Sequence, residues 1–168
     1  MMVYFLMIPY LYITRRMHVF WHFMLASVVA LTWMLLAKSQ YGYNQEIISV
    51  WGINLFALFA WASGLFGVYL VFSHLEAKFP RESRYQKMGL FLVFYWPVLI
   101  GAETLFYHVF NLHNLASASY EGLPVCDCLH APPWMQLSYF ALGPIYYLLC
   151  HLFGLQRFTV EKTIHTKD

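Results

Sequence analysis

An acidic side chain lies in one of the most apolar stretches of this chain, where it could bind or transfer a proton. Glu103 is preceded by WPVLIGA and followed by TLFYHVFNLH. An ionised carboxylate is costly in hydrocarbon, and acidic residues in such stretches usually face a bundle interior or a wet cavity. We therefore expect Glu103 either to handle a proton, bind a ligand or coordinate a metal, or to specify helix packing as a protonated, hydrogen-bonded side chain.

Helical spacing places other polar side chains near this glutamate. Glu103, Tyr107 and Asn111 recur every four residues and would share one helix face, with Thr104 and His108 beside them. Glu103 and His108 are about 140° apart on an ideal helix, so the spacing does not predict that they touch. In an enzyme, Glu103 would be the general acid/base, supported by Tyr107 and His108.

Four further histidines, His18, His22, His74 and His151, fall near the ends of apolar stretches. Histidines on several helices at one depth could ligate a haem iron or another metal inside a bundle. Another tetrapyrrole or a quinone could bind at the same place. The alternative is that histidine, like Trp and Tyr, suits the membrane interface without binding anything.

The segment CDCLH offers a different ligand set. If the segment is extended, Cys126, Cys128 and His130 point the same way. Two thiolates and an imidazole suit zinc or copper, with His113 or Asp127 as a fourth ligand. On an oxidising face a disulfide would form instead, within the pair or to another chain. Free thiols are the third alternative.

Composition indicates that lipid surrounds the chain. Of 168 residues, 61% are hydrophobic and only 11% are charged, whereas soluble domains carry about 25% charged residues. The net charge of +2 and the absence of a Lys/Arg run argue against nucleic acid as a partner. The sequence predicts a single all-α membrane domain over residues 1–168, in a bacterial inner membrane or an organellar membrane.

Four apolar stretches have the length of about 20 residues that a spanning helix needs. The predicted fold is thus a bundle of four transmembrane helices. Residues 1–16 are too short a stretch to span and contain Pro9, which predicts an interfacial segment. The predicted spans cover about residues 17–37, 50–74, 88–112 and 134–155, with an outer loop at 113–133 and an inner tail at 156–168.

The positive charges predict the orientation. Lys and Arg concentrate in cytoplasmic loops of membrane proteins. With the N-terminus inside, only Lys38 of the 10 Lys and Arg residues falls outside, and loop 113–133 contains none. Both termini are therefore expected on the cytoplasmic or matrix side.

The second predicted span carries small residues at packing distance. Ala60 and Gly64, and likewise Ser63 and Gly67, are four residues apart. This spacing lets two helix backbones approach closely in a membrane. It predicts a tight helix–helix contact there.

Three functions are compatible with these features. The first is a subunit of a larger membrane complex, for electron transfer or as helix surface alone, with other membrane subunits or a second copy as partners. The second is an intramembrane enzyme acting on a lipid or isoprenoid through Glu103, beneath a lid formed by loop 113–133. The third is a small channel or ion carrier lined by Glu103.

Overall fold

The computed structural model describes residues 2–44, 48–76 and 83–155, and the chain is mostly helical, at 72%. Apolar runs form helices because a helix satisfies its backbone hydrogen bonds internally, as a lipid environment requires. A two-stranded antiparallel hairpin, Ser49–Val50 with Ile53–Asn54, precedes the third helix. The helices are α1 (Met2–Ile13), α2 (Phe20–Ala37), α3 (Leu55–Glu76), α4 (Arg84–Thr104) and α5 (Pro133–Leu152).

Three helical segments are long and apolar enough to cross a membrane, namely Met17–Gln40, Leu55–Glu76 and Arg84–Val109. They correspond to the first three predicted spans. The segment α5 is a helix of 20 residues at the position of the fourth span, but it is not among these three. Its polar residues, such as Gln136 and Ser138, lower its apolar character. The predicted side of the termini stays a prediction, and residues 156–168 lie outside the described residues.

Helix α4 begins at a capping box and ends in a π-turn. At its start, the Ser83 hydroxyl accepts a hydrogen bond from the Gln86 backbone N–H at 3.3 Å, and the Gln86 side chain accepts one from the Ser83 N–H at 2.8 Å. This reciprocal capping box fixes the N-terminus. At the other end the helix widens into a π-turn, Leu105–Val109. Such turns are frequent at functional sites.

The helices pack through aromatic side chains, and most closely between α2 and α3. In that pair the rings of Phe23 and Phe66 have centroids 5.3 Å apart. Between α4 and α5, the Tyr95 hydroxyl donates to the Tyr139 backbone carbonyl at 2.7 Å. A Cβ added at Gly143 would lie only 2.6 Å from the Tyr95 ring, so this glycine allows the two helices to approach.

Helix α1 is held by the bundle. The ring of Tyr4 packs against Phe23 of α2 and Phe59 of α3 with centroids 4.7 and 4.6 Å away. Its hydroxyl is hydrogen-bonded to the Ser27 hydroxyl at 3.0 Å, and Leu11 is fully buried. The interfacial position predicted for residues 1–16 stays a prediction.

The small residues of α3 do not bring two helices of this chain together. A Cβ added at Gly64 or at Gly67 would meet no atom of the described residues within 4 Å. The prediction of a tight contact at these glycines is therefore wrong within one chain. The space at Gly64 belongs instead to a cavity, which Ala60 also lines.

Candidate functional site

A cavity of about 160 Å³ lies between α3 and α4, at the end of the bundle where the chain after α4 folds back. We call that segment, residues 113–132, the lid. Leu129 and His130 of the lid reach the cavity, as do Tyr41 and Tyr43 of the first loop. A hydrogen bond of 3.0 Å from the Gly42 backbone N–H to the Asn114 side chain joins this loop to the lid. The cavity walls are mainly apolar and aromatic.

Glu103 lines this cavity with a partly buried side chain. Within the described part of the chain its carboxyl group makes no hydrogen bond and no ion pair. The predicted alternative, a glutamic acid hydrogen-bonded to a neighbouring helix, is therefore not what the structure shows. An acidic group that faces a cavity without a protein partner is available to a bound molecule.

Tyrosine hydroxyls surround the same space. Tyr41 accepts hydrogen bonds from the indole N–H groups of Trp33 and Trp61, at 2.8 and 3.0 Å. Because an indole N–H only donates, the proton of Tyr41 must point to the Tyr139 hydroxyl, 3.1 Å away. The proton of Tyr139 then has no acceptor among the described residues, and Tyr139 lines the cavity. It can donate to a ligand beside Glu103.

Burial keeps the tyrosines of the first loop protonated. Desolvation raises the pKa of Tyr41, and the negative charge of Glu103 raises it further, against the hydrogen bonds that lower it. Desolvation also raises the pKa of Tyr43, followed by the charges of Tyr41 and Glu103. Both phenols therefore remain hydrogen-bonding groups at physiological pH and do not become bases.

Tyr107 lines the cavity and contacts the lid. Its ring lies between two imidazoles, those of His113 and His130, with centroids 4.2 and 4.8 Å away. His113 begins the lid and His130 lies near its end, so both arms of the lid stack on one side chain. The Nδ1 atom of His130 is also 2.9 Å from the Tyr120 carbonyl oxygen. Tyr107 thus anchors the lid while it lines the cavity.

His108 and Asn111 are directed elsewhere. The Nε2 atom of His108 is 2.9 Å from the Cys126 carbonyl oxygen, to which it donates, and the ring does not line the cavity. The structure therefore brings Tyr107 to Glu103 but not His108. Asn111 lies beyond the π-turn with φ 52°. The prediction that it continues the face of Glu103 and Tyr107 is wrong, because the helix ends before it.

The two cysteines of the CDCLH segment are bonded to each other. Cys126 and Cys128 form a disulfide with a Cα–Cα distance of 5.1 Å. Of the three predicted alternatives, the structure therefore contains the disulfide. His113 and His130 lie on opposite faces of Tyr107, and the described residues contain no group of three His, Cys, Asp or Glu side chains that could hold a metal. The predicted zinc or copper site has no support in this oxidised form.

The remaining histidines lie near the ends of α2, α3 and α5 that are opposite the lid. His22 is fully buried and stacks on Tyr69 with centroids 4.8 Å apart. The Nε2 atom of His74 is 3.2 Å from an Arg16 nitrogen. His151 contacts the ring of Tyr147, with centroids 4.6 Å apart, and His18 lies in a 3-10 turn, Met17–Val19. Haem, another tetrapyrrole or quinone at these four histidines stays a prediction.

Apart from Tyr107, the tyrosines of the cavity were missed as site residues by reasoning from the sequence, namely Tyr41, Tyr43, Tyr95 and Tyr139. One signal was present, since Tyr95 lies eight residues before Glu103 and so on the same helix face. Tyr139 and the loop residues Tyr41 and Tyr43 carry no such signal, because their positions depend on how helices and loops pack.

Comparison with known proteins adds no assignment. The chain matches no protein-family model, no curated protein and no solved structure. The cavity and its side chains are therefore the basis on which function is proposed.

Proposed function

We propose that this chain is a small intramembrane enzyme that acts on a lipid or isoprenoid, with Glu103 as the general acid/base. The observation that carries the proposal is the Glu103 carboxyl group, which faces an aromatic cavity and has no partner among the described residues. A carboxyl group that is not engaged by the protein can give a proton to a bound substrate and take one back.

The walls of the cavity favour an amphiphile. Ligand pockets are mostly apolar with a few polar groups that fix orientation, and here Glu103 and the Tyr139 hydroxyl supply them. Ala60 and Gly64 leave space on the α3 side. An apolar chain would lie there, with its polar end at Glu103. The lining helices α3 and α4 belong to segments that can cross a membrane, so the substrate would arrive from the bilayer.

Other side chains of the cavity would position the substrate. Tyr139 would donate a hydrogen bond to the polar end of the substrate, and the pair of tryptophans on Tyr41 would hold Tyr139 in that role. Tyr107 and the lid would exclude water from the reacting groups. His108 would hold the lid through Cys126 and would not itself transfer a proton to the substrate.

The finer membrane topology is part of the same proposal. Helix α5 packs against α4, and its 20 residues extend about 30 Å, the thickness of the hydrocarbon core. We infer that it is the fourth span. The concentration of Lys and Arg outside the lid favours both termini on the cytoplasmic or matrix side, with the lid facing outward.

Substitution Glu103→Gln tests the enzyme proposal. The purified protein is incubated with a membrane lipid extract and with prenyl alcohols, and conversion is followed by mass spectrometry. Loss of general acid/base catalysis should lower turnover about 10²- to 10⁴-fold. The matched control is Glu121→Gln in the exposed part of the lid, which should leave turnover unchanged. If Glu103→Gln kept full turnover, the proposed role of Glu103 would be wrong.

A subunit role in a larger membrane complex is the second candidate. Helix α4 buries the smallest share of the three membrane-spanning segments, and Val93 and Trp96 are exposed on it. That face would contact lipid, another subunit or a second copy. An optical spectrum of gently purified protein, recorded oxidised and then reduced, tests whether a haem is bound. A band that shifts on reduction would favour a haem subunit, and a flat visible spectrum would count against one.

A further inference from the structure

The disulfide closes a small loop inside the lid. The backbone N–H groups of Cys126 and Asp127 donate to the Leu123 carbonyl at 3.1 and 2.8 Å, and the Leu123 N–H donates to the Cys128 carbonyl at 2.8 Å. Residues 123–128 thus form a compact unit whose ends are joined by the hydrogen bond between Leu123 and Cys128, and the disulfide links Cys126 to Cys128 within it. We call this unit the clasp.

The clasp holds its backbone in a conformation that its residues do not favour. Asp127 has φ 44° and Leu129 has φ 56°. These values lie in the left-handed region, which is unfavourable for side chains other than glycine and, to a lesser degree, Asn and Asp. Strain of this kind persists only where the surrounding structure imposes it. Here the disulfide precedes Leu129 in the chain and His130, stacked on Tyr107, follows it.

The clasp connects directly to the cavity. Leu129 and His130, which follow Cys128, both line it. The Cys126 carbonyl accepts from His108 at 2.9 Å, and the Thr104 hydroxyl, next to Glu103, lies 3.7 Å from Cys128 Sγ. Release of the clasp would therefore free Leu129 and His130, which line the cavity together with Glu103.

The two sulfurs differ in access. Cys128 is fully buried, whereas Cys126 is partly exposed. Which sulfur is attacked in thiol–disulfide exchange depends on access. An external thiolate would therefore reach Cys126, and Cys128 would be the leaving group beside the Thr104 hydroxyl.

We propose that the Cys126–Cys128 bond is a reversible redox site whose reduction by an external dithiol opens the lid over the cavity. One thiolate of the dithiol attacks Cys126 Sγ, the bond between the two cysteines breaks, and Cys128 leaves as a thiolate. The Thr104 hydroxyl, which donates to the Ile100 carbonyl at 2.7 Å in the oxidised form, would turn to donate to this thiolate. The second thiol of the reductant then attacks the mixed disulfide and releases Cys126. The reductant leaves as a disulfide, and its two electrons and two protons end on the cysteines. A role of this opening in regulating turnover rests on the proposed function. The redox step and the opening itself do not depend on it.

Hydrogen exchange of the full-length protein in detergent tests the inference, with dithiothreitol as the reductant. Alkylation followed by mass spectrometry counts the thiols released, and Cys150, which is buried, is the internal reference. The backbone amides of Leu123, Cys126 and Asp127 should exchange at least ~10-fold faster after reduction, since exchange follows local opening. Amides of α2 should not change, and an oxidised dithiol should restore protection.

Two variants sharpen the experiment. Cys150→Ser should respond to dithiothreitol as the unaltered protein does. The double variant Cys126→Ser, Cys128→Ser should show fast exchange in the lid with or without the reductant. The inference is overturned if the pair resists reduction in the folded protein, or if reduction leaves exchange in the lid unchanged. It is also overturned if α2 and the lid lose protection together, since the bond would then stabilise the whole fold. None of these readouts depends on turnover, so the proposed enzyme role stands or fails separately.

Discussion

The two ends of the bundle treat a glutamate in opposite ways. Away from the lid, Glu76 accepts a hydrogen bond from the Tyr147 hydroxyl at 3.3 Å and pairs with Lys87 at 3.5 Å. Near the lid, Glu103 faces the cavity with no partner among the described residues. A glutamate side chain is thus paired with protein groups at one end of the bundle and unpaired among the described residues at the other.

This difference separates a structural acid from a candidate functional one. A buried charge is usually paired, because an unpaired one costs much more free energy. The chain achieves this pairing at Glu76 with neighbours from α4 and α5. Around Glu103 the chain instead places tyrosine hydroxyl groups, two indoles and the lid. These groups shape the cavity but make no hydrogen bond or ion pair with the carboxyl group.

The largest effect on stability should come from the tyrosine that organises the cavity. Tyr41→Phe would remove the acceptor of two indole N–H groups, those of Trp33 and Trp61. Each buried donor left without an acceptor costs about 1–3 kcal/mol, so for two donors we expect a loss of about 2–6 kcal/mol. Thermal unfolding in detergent measures it.

Tyr43→Phe is the matched control. Its hydroxyl makes no hydrogen bond within the described part of the chain, although the ring also lines the cavity. The loss should stay below about 1 kcal/mol. Equal losses for the two variants would show that the network on Tyr41 does not hold this end of the bundle together.

A smaller effect, on binding alone, is expected from filling the space beside α3. Gly64→Val would project a side chain into the cavity, whereas Gly67→Val projects into open space that does not belong to it. Overpacking costs about 1–3 kcal/mol, and here it would weaken the binding of the molecule in the cavity by about that amount. Lipid retained during purification should drop about 10-fold or more in the first variant and stay unchanged in the second, as measured by native mass spectrometry. A similar loss in both variants would mean that the α3 side of the cavity is not where an apolar chain lies.

The sequence predicted three helices that are long and apolar enough to cross a membrane, because their length and composition follow directly from long apolar runs. It also singled out Glu103 and Tyr107, and the structure places both in the wall of the cavity. It failed at Asn111, because the helix ends in the π-turn before that residue. The predicted helix–helix contact at Gly64 was also wrong. A small residue leaves space that either a second helix or a ligand can occupy, and the sequence does not distinguish the two. The position of Tyr139 depends on the packing of α5, which no local pattern encodes.

Chemical labelling of carboxyl groups tests most directly whether Glu103 is open while Glu76 is engaged. An apolar carbodiimide enters membranes and reacts with protonated carboxyl groups that it can reach, and peptide mass spectrometry locates the product. We predict that Glu103 is labelled first, and that Glu76, held by Tyr147 and Lys87, is labelled slowly. Labelling of Glu76 with no labelling of Glu103 would contradict the account, because the acid at the cavity would then be the inaccessible one.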